Sequence, residues 1–255
     1  MGKRVRLGAV VFLCLAVAVG AVPSAGAVAS TRTTATADVR LLPDLRMAPL
    51  TDVFSVMSGA QRQLRFSATI LNTGAGPFEL LGARASTSDP MTVEQHIYHS
   101  LNPVEDVATT ATMFFAGDGH THWHVKDLET YRLVKRRGGA AAGTSLKSGF
   151  CFADDLRNNL SLPGAPLSQV YVPLDMCSRD QPDSLTAPMG LSVGWGDTYR
   201  FTLPDQFIDI TGLASGTYRL IATADGFNRF TESNETNNST RLNLRIRATS
   251  VTIGR

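Results

Sequence analysis

Cysteine is scarce in this chain, with three in 255 residues, and so is histidine, with five. An excess charge of either sign is also missing, because 24 lysines and arginines stand against 22 acidic residues, a net of +2. Even that small excess comes from Lys3, Arg4 and Arg6; without them 21 basic side chains face 22 acidic ones. Such a balance offers no electrostatic ground for a nucleic-acid or anionic-membrane partner, and Lys135-Arg136-Arg137 reads as a solvated loop. Long amphipathic helices are absent from the pattern, and the main apolar stretch, Leu7 to about Val22, is short for a membrane span. It follows three basic residues and precedes Pro23 and the small residues Ala27-Val28-Ala29. That is the layout of a secretory signal peptide over residues 1–29, not of a permanent membrane anchor, and it predicts a secreted protein.

Cys14 lies inside the apolar stretch and would leave with it, so Cys151 and Cys177 remain as an even pair in an exported chain. The pairing predicts a disulfide contributing roughly 3–4 kcal/mol through loop closure, and it argues against a cysteine nucleophile.

What is plentiful is strand signal. Leu64, Phe66, Ala68 and Ile70 alternate with Gln63, Arg65, Ser67 and Thr69, and Asn72-Thr73-Gly74 follows as a turn. Thr198 to Leu203, Phe207 to Thr211, Thr217 to Thr223 and Leu242 to Ile246 repeat the pattern. Many short strands between Gly, Pro, Asn and Asp turns predict an all-β fold: an antiparallel β-sandwich with long irregular loops and little helix. Residues 30–42, rich in Thr and Ala, read as a disordered lead-in, 43–248 as the domain and 249–255 as a tail. Ala153 to Pro188, rich in Pro, Asp and Ser, reads as a functional loop or cover that Cys177 would tether.

Three of the five histidines fall in His120-Thr121-His122-Trp123-His124. In a strand their side chains project to one face, while Thr121 and Trp123 project to the other. Neutral imidazoles suit copper, zinc, iron or nickel, with zinc and copper foremost. On a straight strand the outer Cα atoms would be about 13 Å apart, so one shared ion requires a bend, and Gly117 and Gly119 stand where it would help. His96 and His99, three apart, face opposite ways and read as surface residues.

His120-Thr121-His122-Trp123-His124, Lys147-Ser148-Gly149-Phe150-Cys151 and Gly190-Leu191-Ser192-Val193-Gly194-Trp195-Gly196-Asp197-Thr198-Tyr199 resemble lysyl oxidase, in the same order and at similar intervals. Gln206 to Thr211 and Glu235-Thr236-Asn237-Asn238 resemble that family too, so the likeness covers about residues 85–246. The chain resembles its compact prokaryotic branch. It departs from the animal members in having Gly119 where they carry a cysteine before the histidines, and in having only one available disulfide.

The resemblance implies a copper amine oxidase that builds a quinone from its own side chains. His120, His122 and His124 would bind copper, Tyr199 would be oxidised to a dopaquinone, and Lys147 would add to the ring to give lysine tyrosylquinone. Copper bound by imidazoles can cycle redox states where zinc cannot. Gly138 to Gly143 reads as a flexible segment that would let the Lys147 amine reach the ring. Asp197, two residues before Tyr199 and on the same strand face, is the candidate base. The partners implied are dioxygen and a primary amine, either peptidyl lysine or a polyamine, with hydrogen peroxide and ammonia released beside the aldehyde. Two other readings remain: a non-catalytic extracellular metal-binding β-sandwich, and a zinc hydrolase. Against the hydrolase, a His-x-His-x-Asp-His site is not formed, since Val125 and Lys126 follow His124.

Overall fold

The computed structural model describes residues 37–116, 121–145 and 147–254. The signal-like segment 1–29, residues 30–36 of the lead-in, Gly117, Gly119 and His120 lie outside the described residues. Among those described there is no helix, and every strand pairing is antiparallel. None of them forms a helix long and apolar enough to cross a membrane.

The expected all-β architecture is present as three sheets. One runs in the order Gly149–Phe150, Trp123–Lys126, Glu105–Phe115, Met91–His99, Phe78–Ala83 and Thr186–Leu191. A second is built on Glu129–Lys135, Gly216–Ala224 and Ser239–Ile246. The third is organised by Gln61–Asn72, which pairs with Leu45–Met47, Thr51–Ser58, Trp195–Tyr199 and Phe207–Asp209. That long strand buries Leu64, Phe66, Ala68 and Ile70, as its alternation predicts. Gln63 and Ser67 on its other face are buried as well. Ser67 Oγ satisfies itself by accepting the Phe201 N–H at 3.1 Å.

Several boundaries differ from expectation. Arg40–Leu41 pairs with Tyr98 and His99, so the lead-in gives way to ordered chain before residue 42. The tail returns as Val251–Ile253 against Leu244 to Ile246. Both are edge strands, whose hydrogen bonding comes from a partner distant in sequence and leaves little local pattern. The strand expected over Thr198 to Leu203 is Trp195–Tyr199, after which Leu203 N–H bonds the Arg200 carbonyl in a turn. The next strand stops at Asp209, whose carboxylate accepts the Thr211 N–H and hydroxyl at 2.8 and 2.6 Å. Gly138 and Gly139, with φ of 78° and 66°, close a hairpin in which Ala141–Thr144 pairs back on Glu129–Lys135. The stretch read as a flexible arm is therefore regular chain.

The irregular stretch after Ala153 is pinned at several points. Cys177 is bonded to Cys151, with Cα atoms 6.0 Å apart. Tyr171 lays its ring where a Cβ on Gly190 would be, and its hydroxyl donates to Glu79. Asp154, fully buried, accepts from the backbone of Val170 and Ser192 at 2.9 and 2.8 Å and from the Ser192 hydroxyl at 2.8 Å.

An aromatic path crosses the core. Phe66 meets Tyr131 edge-on at 5.0 Å, Tyr131 meets Phe150 at 6.3 Å, and Phe150 meets Tyr199 at 5.1 Å. Phe66→Ala should therefore cost about 3–5 kcal/mol of stability, read as a lowered midpoint in denaturant unfolding. A cost under about 1 kcal/mol would show that Phe66 is not a core anchor.

Candidate metal and cofactor site

The histidine segment enters the first sheet at Trp123–Lys126, with His124 opposite Phe114 and the Ala116 N–H bonded to the His122 carbonyl at 3.0 Å. His122 precedes the strand but keeps its alternation, so both imidazoles lie on one side, buried, with their Nε2 atoms 2.8 Å apart. Trp123 points to the other side and donates through Nε1 to the Gln181 carbonyl at 3.0 Å. Two imidazole nitrogens that each sit about 2 Å from one ion would be roughly 3 Å apart, so this pair of donors fits a transition metal. His120, the third sequence candidate, is outside the described residues.

Gly149 makes the histidine packing possible. A Cβ there would meet His124 Nδ1 and Phe114 Cζ, each at 2.5 Å. Gly149 pairs with Lys126 and Phe150 with Val125, which brings Lys147, two residues upstream, to the same region. Lys147 is buried, and its Nζ lies 5.1 Å from the centre of the Tyr199 ring and 5.3 Å from that of Phe150. Tyr199, at the end of its strand, donates its hydroxyl to the Cys151 carbonyl at 2.6 Å. His122, Asp197 and Tyr199 line one cleft of about 360 Å³. The fold thus gathers Lys147, Tyr199, Asp197, His122 and His124.

The family model described as lysyl oxidase matches residues 48–255. The chain belongs to the lysyl oxidase family. Among curated proteins of that family, lysyl oxidase homolog 2 of Xenopus laevis is 25% identical over 199 residues. Those residues are 78% of this chain and 20% of the relative, so the chain spans about a fifth of that protein's length.

In this lysyl oxidase family member, burial together with the charges of Glu129 and Asp155 raises the Asp197 carboxyl well above the usual carboxylate range. Tyr199 is raised in turn by burial and by Asp197. Beneath them lies a pair the sequence reading passed over. Glu129 is 1% exposed, accepts from the Tyr131 hydroxyl and is pushed up to about 7 by burial, with the Lys147 charge opposing the shift. Its signal was available, because Glu129 stands in step with the inward-facing Tyr131 and Leu133 of its strand.

His96 and His99 are not bare surface residues. Their Nδ1 atoms lie 2.6 Å from carboxylate oxygens of Glu79 and Asp38 respectively. Elsewhere, ligand oxygens of Asp225, Glu232 and Glu235 lie within 4.8 Å of one another. That set suits hard cations, not copper.

Gly149→Ala should displace the His124 ring and weaken copper binding by about tenfold or more, measured by competition with a chelator. Unchanged affinity would mean that His124 is not held by this contact. Glu129 keeps its proton longer folded than unfolded, so wild-type stability should fall as pH rises from about 4.5 to 7, by on the order of a few kcal/mol. Glu129→Gln should show a smaller fall than the wild type when unfolding free energies are compared across the same range, the difference being the Glu129 share.

Proposed function

We propose that the protein is a secreted copper- and quinone-dependent amine oxidase, converting primary amines to aldehydes with release of hydrogen peroxide and ammonia. The observation that carries this reading is the buried Lys147 amine set against the Tyr199 ring beside two converging imidazoles. A hydrolase or an adhesion module has no use for that contact. Copper would be held by His122 and His124 with His120 as the third ligand, and would supply one-electron chemistry with dioxygen, while a quinone made from Tyr199 and Lys147 would supply an electrophilic carbonyl.

This chain's own residues divide the remaining work. The Cys151 carbonyl fixes the orientation of the Tyr199 hydroxyl, and Phe150 packs edge-on against its ring. Lys147 must give up a proton before its nitrogen can bond to the ring, and Glu129 is a buried carboxylate within electrostatic reach to receive it. Asp197, in the cleft and two residues from Tyr199, would take the α-proton of the substrate at its carboxylate. Its raised affinity for protons makes it a stronger base once ionised. The signal-like residues 1–29 and the Cys151–Cys177 disulfide support export to an oxidising compartment.

After aerobic copper loading, peptide mass spectrometry should show Lys147 joined covalently to Tyr199, and Tyr199→Phe should abolish the joined peptide. Peroxide release on adding a primary amine should be blocked by a carbonyl reagent. Recovery of both residues unmodified from copper-loaded protein would overturn the proposal.

A further inference from the structure

The cleft that holds Tyr199 also holds two arginines, Arg179 and Arg200, and the exposed Asp155. Neither arginine belongs to any described ion pair. Arg179 Nε is buried with no hydrogen-bond acceptor, a costly state for a charged donor and one that a ligand would relieve.

The backbone around Arg179 is held in an unusual form. Cys177, Ser178 and Asp180 all have positive φ, at 64°, 44° and 59°, although none is glycine. That strained turn is fastened on every side. Cys177 carries the disulfide, its N–H bonds the Pro188 carbonyl at 2.7 Å and its carbonyl accepts the Trp123 N–H at 2.9 Å. Ser178 Oγ donates to the Thr186 carbonyl at 2.7 Å, and the Asp180 N–H bonds the Thr121 carbonyl. An arginine held this firmly in a cleft, with an unanswered donor, is preorganised for an anion. Arg200 follows Tyr199 directly and brings a second guanidinium to the same space.

We propose that Arg179 and Arg200 bind a carboxylate of the substrate, so that the preferred amine carries a carboxylate on the same molecule. This rests on the amine-oxidase reading of the same cleft. Asp155, exposed in the same cleft, attracts the ammonium toward Tyr199, while the guanidiniums take the acid. A polyamine would set extra ammonium groups against two arginines. The carboxylate has two possible sources: the α-carboxylate of lysine itself, or an acidic side chain beside a peptidyl lysine.

The copper-loaded full chain can be titrated calorimetrically with Nα-acetylnorleucine, which keeps the carboxylate and apolar stem of lysine but has no ε-amine to oxidise, and with its amide. The acid should bind at least about tenfold more tightly than the amide, and Arg179→Gln and Arg200→Gln should each reduce that ratio several-fold. Equal affinities, no binding of either compound, or a ratio unchanged in the variants overturns the proposal. Arg200 is exposed, so its variant still decides the matter if Arg179→Gln does not fold. Relative kcat/KM for Nα-acetyl-lysine, its amide, an amidated peptide with glutamate beside lysine, and cadaverine then identifies the source of the carboxylate. Cadaverine as the best of the four also overturns the proposal. The Lys147–Tyr199 mass measurement on the same samples separates the two claims. Acid preference without the joined peptide sinks only the oxidase reading, and the joined peptide without acid preference sinks only this one.

Discussion

Two residues of strand pairing, Gly149 with Lys126 and Phe150 with Val125, hold the rest of the site in place. Through them the segment carrying Lys147 is docked on the strand carrying His124, close enough that only a hydrogen fits at the Gly149 α-carbon. Phe150 continues the contact into the Tyr199 ring, and the next carbonyl, that of Cys151, receives the Tyr199 hydroxyl. The Cys151 sulfur then ties in Cys177, whose own carbonyl holds the Trp123 N–H between the two described histidines. A short ladder thus couples the two imidazoles, the amine and the phenol, so a shift of one strand moves all three.

That arrangement places polar groups where a fold selected only for stability would put apolar ones. Glu129, Lys147 and the Asp197 carboxyl crowd around Tyr199; burial raises both acids, and like charge adds to the shift at Asp197. Asp154, by contrast, is fully buried but surrounded by donors and acts as a structural fastener of the irregular segment. The raised Asp197 carboxyl, the unsatisfied Arg179 Nε and the left-handed turn of Cys177, Ser178 and Asp180 meet at one cleft.

The alternation in Leu64 to Ile70 made the central strand readable, and the histidine spacing made a metal-suited face readable, because both depend on side-chain period alone. The family likeness pointed to Lys147 and Tyr199, which in isolation are an ordinary lysine and an ordinary tyrosine. The strands at Arg40–Leu41 and Val251–Ile253 were missed because edge strands take their order from distant partners. Gly138 and Gly139 were read as slack chain, although paired glycines with positive φ close a hairpin. Glu129 stood in an inward position and could have been noticed. Arg179 could not, since nothing in Ser178-Arg179-Asp180 announces a buried donor.

By itself the sequence determined the all-β class, the face shared by His122 and His124, and the pairing of Cys151 with Cys177, since each follows from local periodicity or from a count of two. Only the tertiary structure decided that the Lys147 amine lies against the Tyr199 ring, that Glu129 and Asp197 crowd the same ring, and that two arginines open onto it. Those contacts join chain segments far apart in sequence, and their closeness is set by strand register and by the burial of shared aromatic surface, neither of which any single segment encodes.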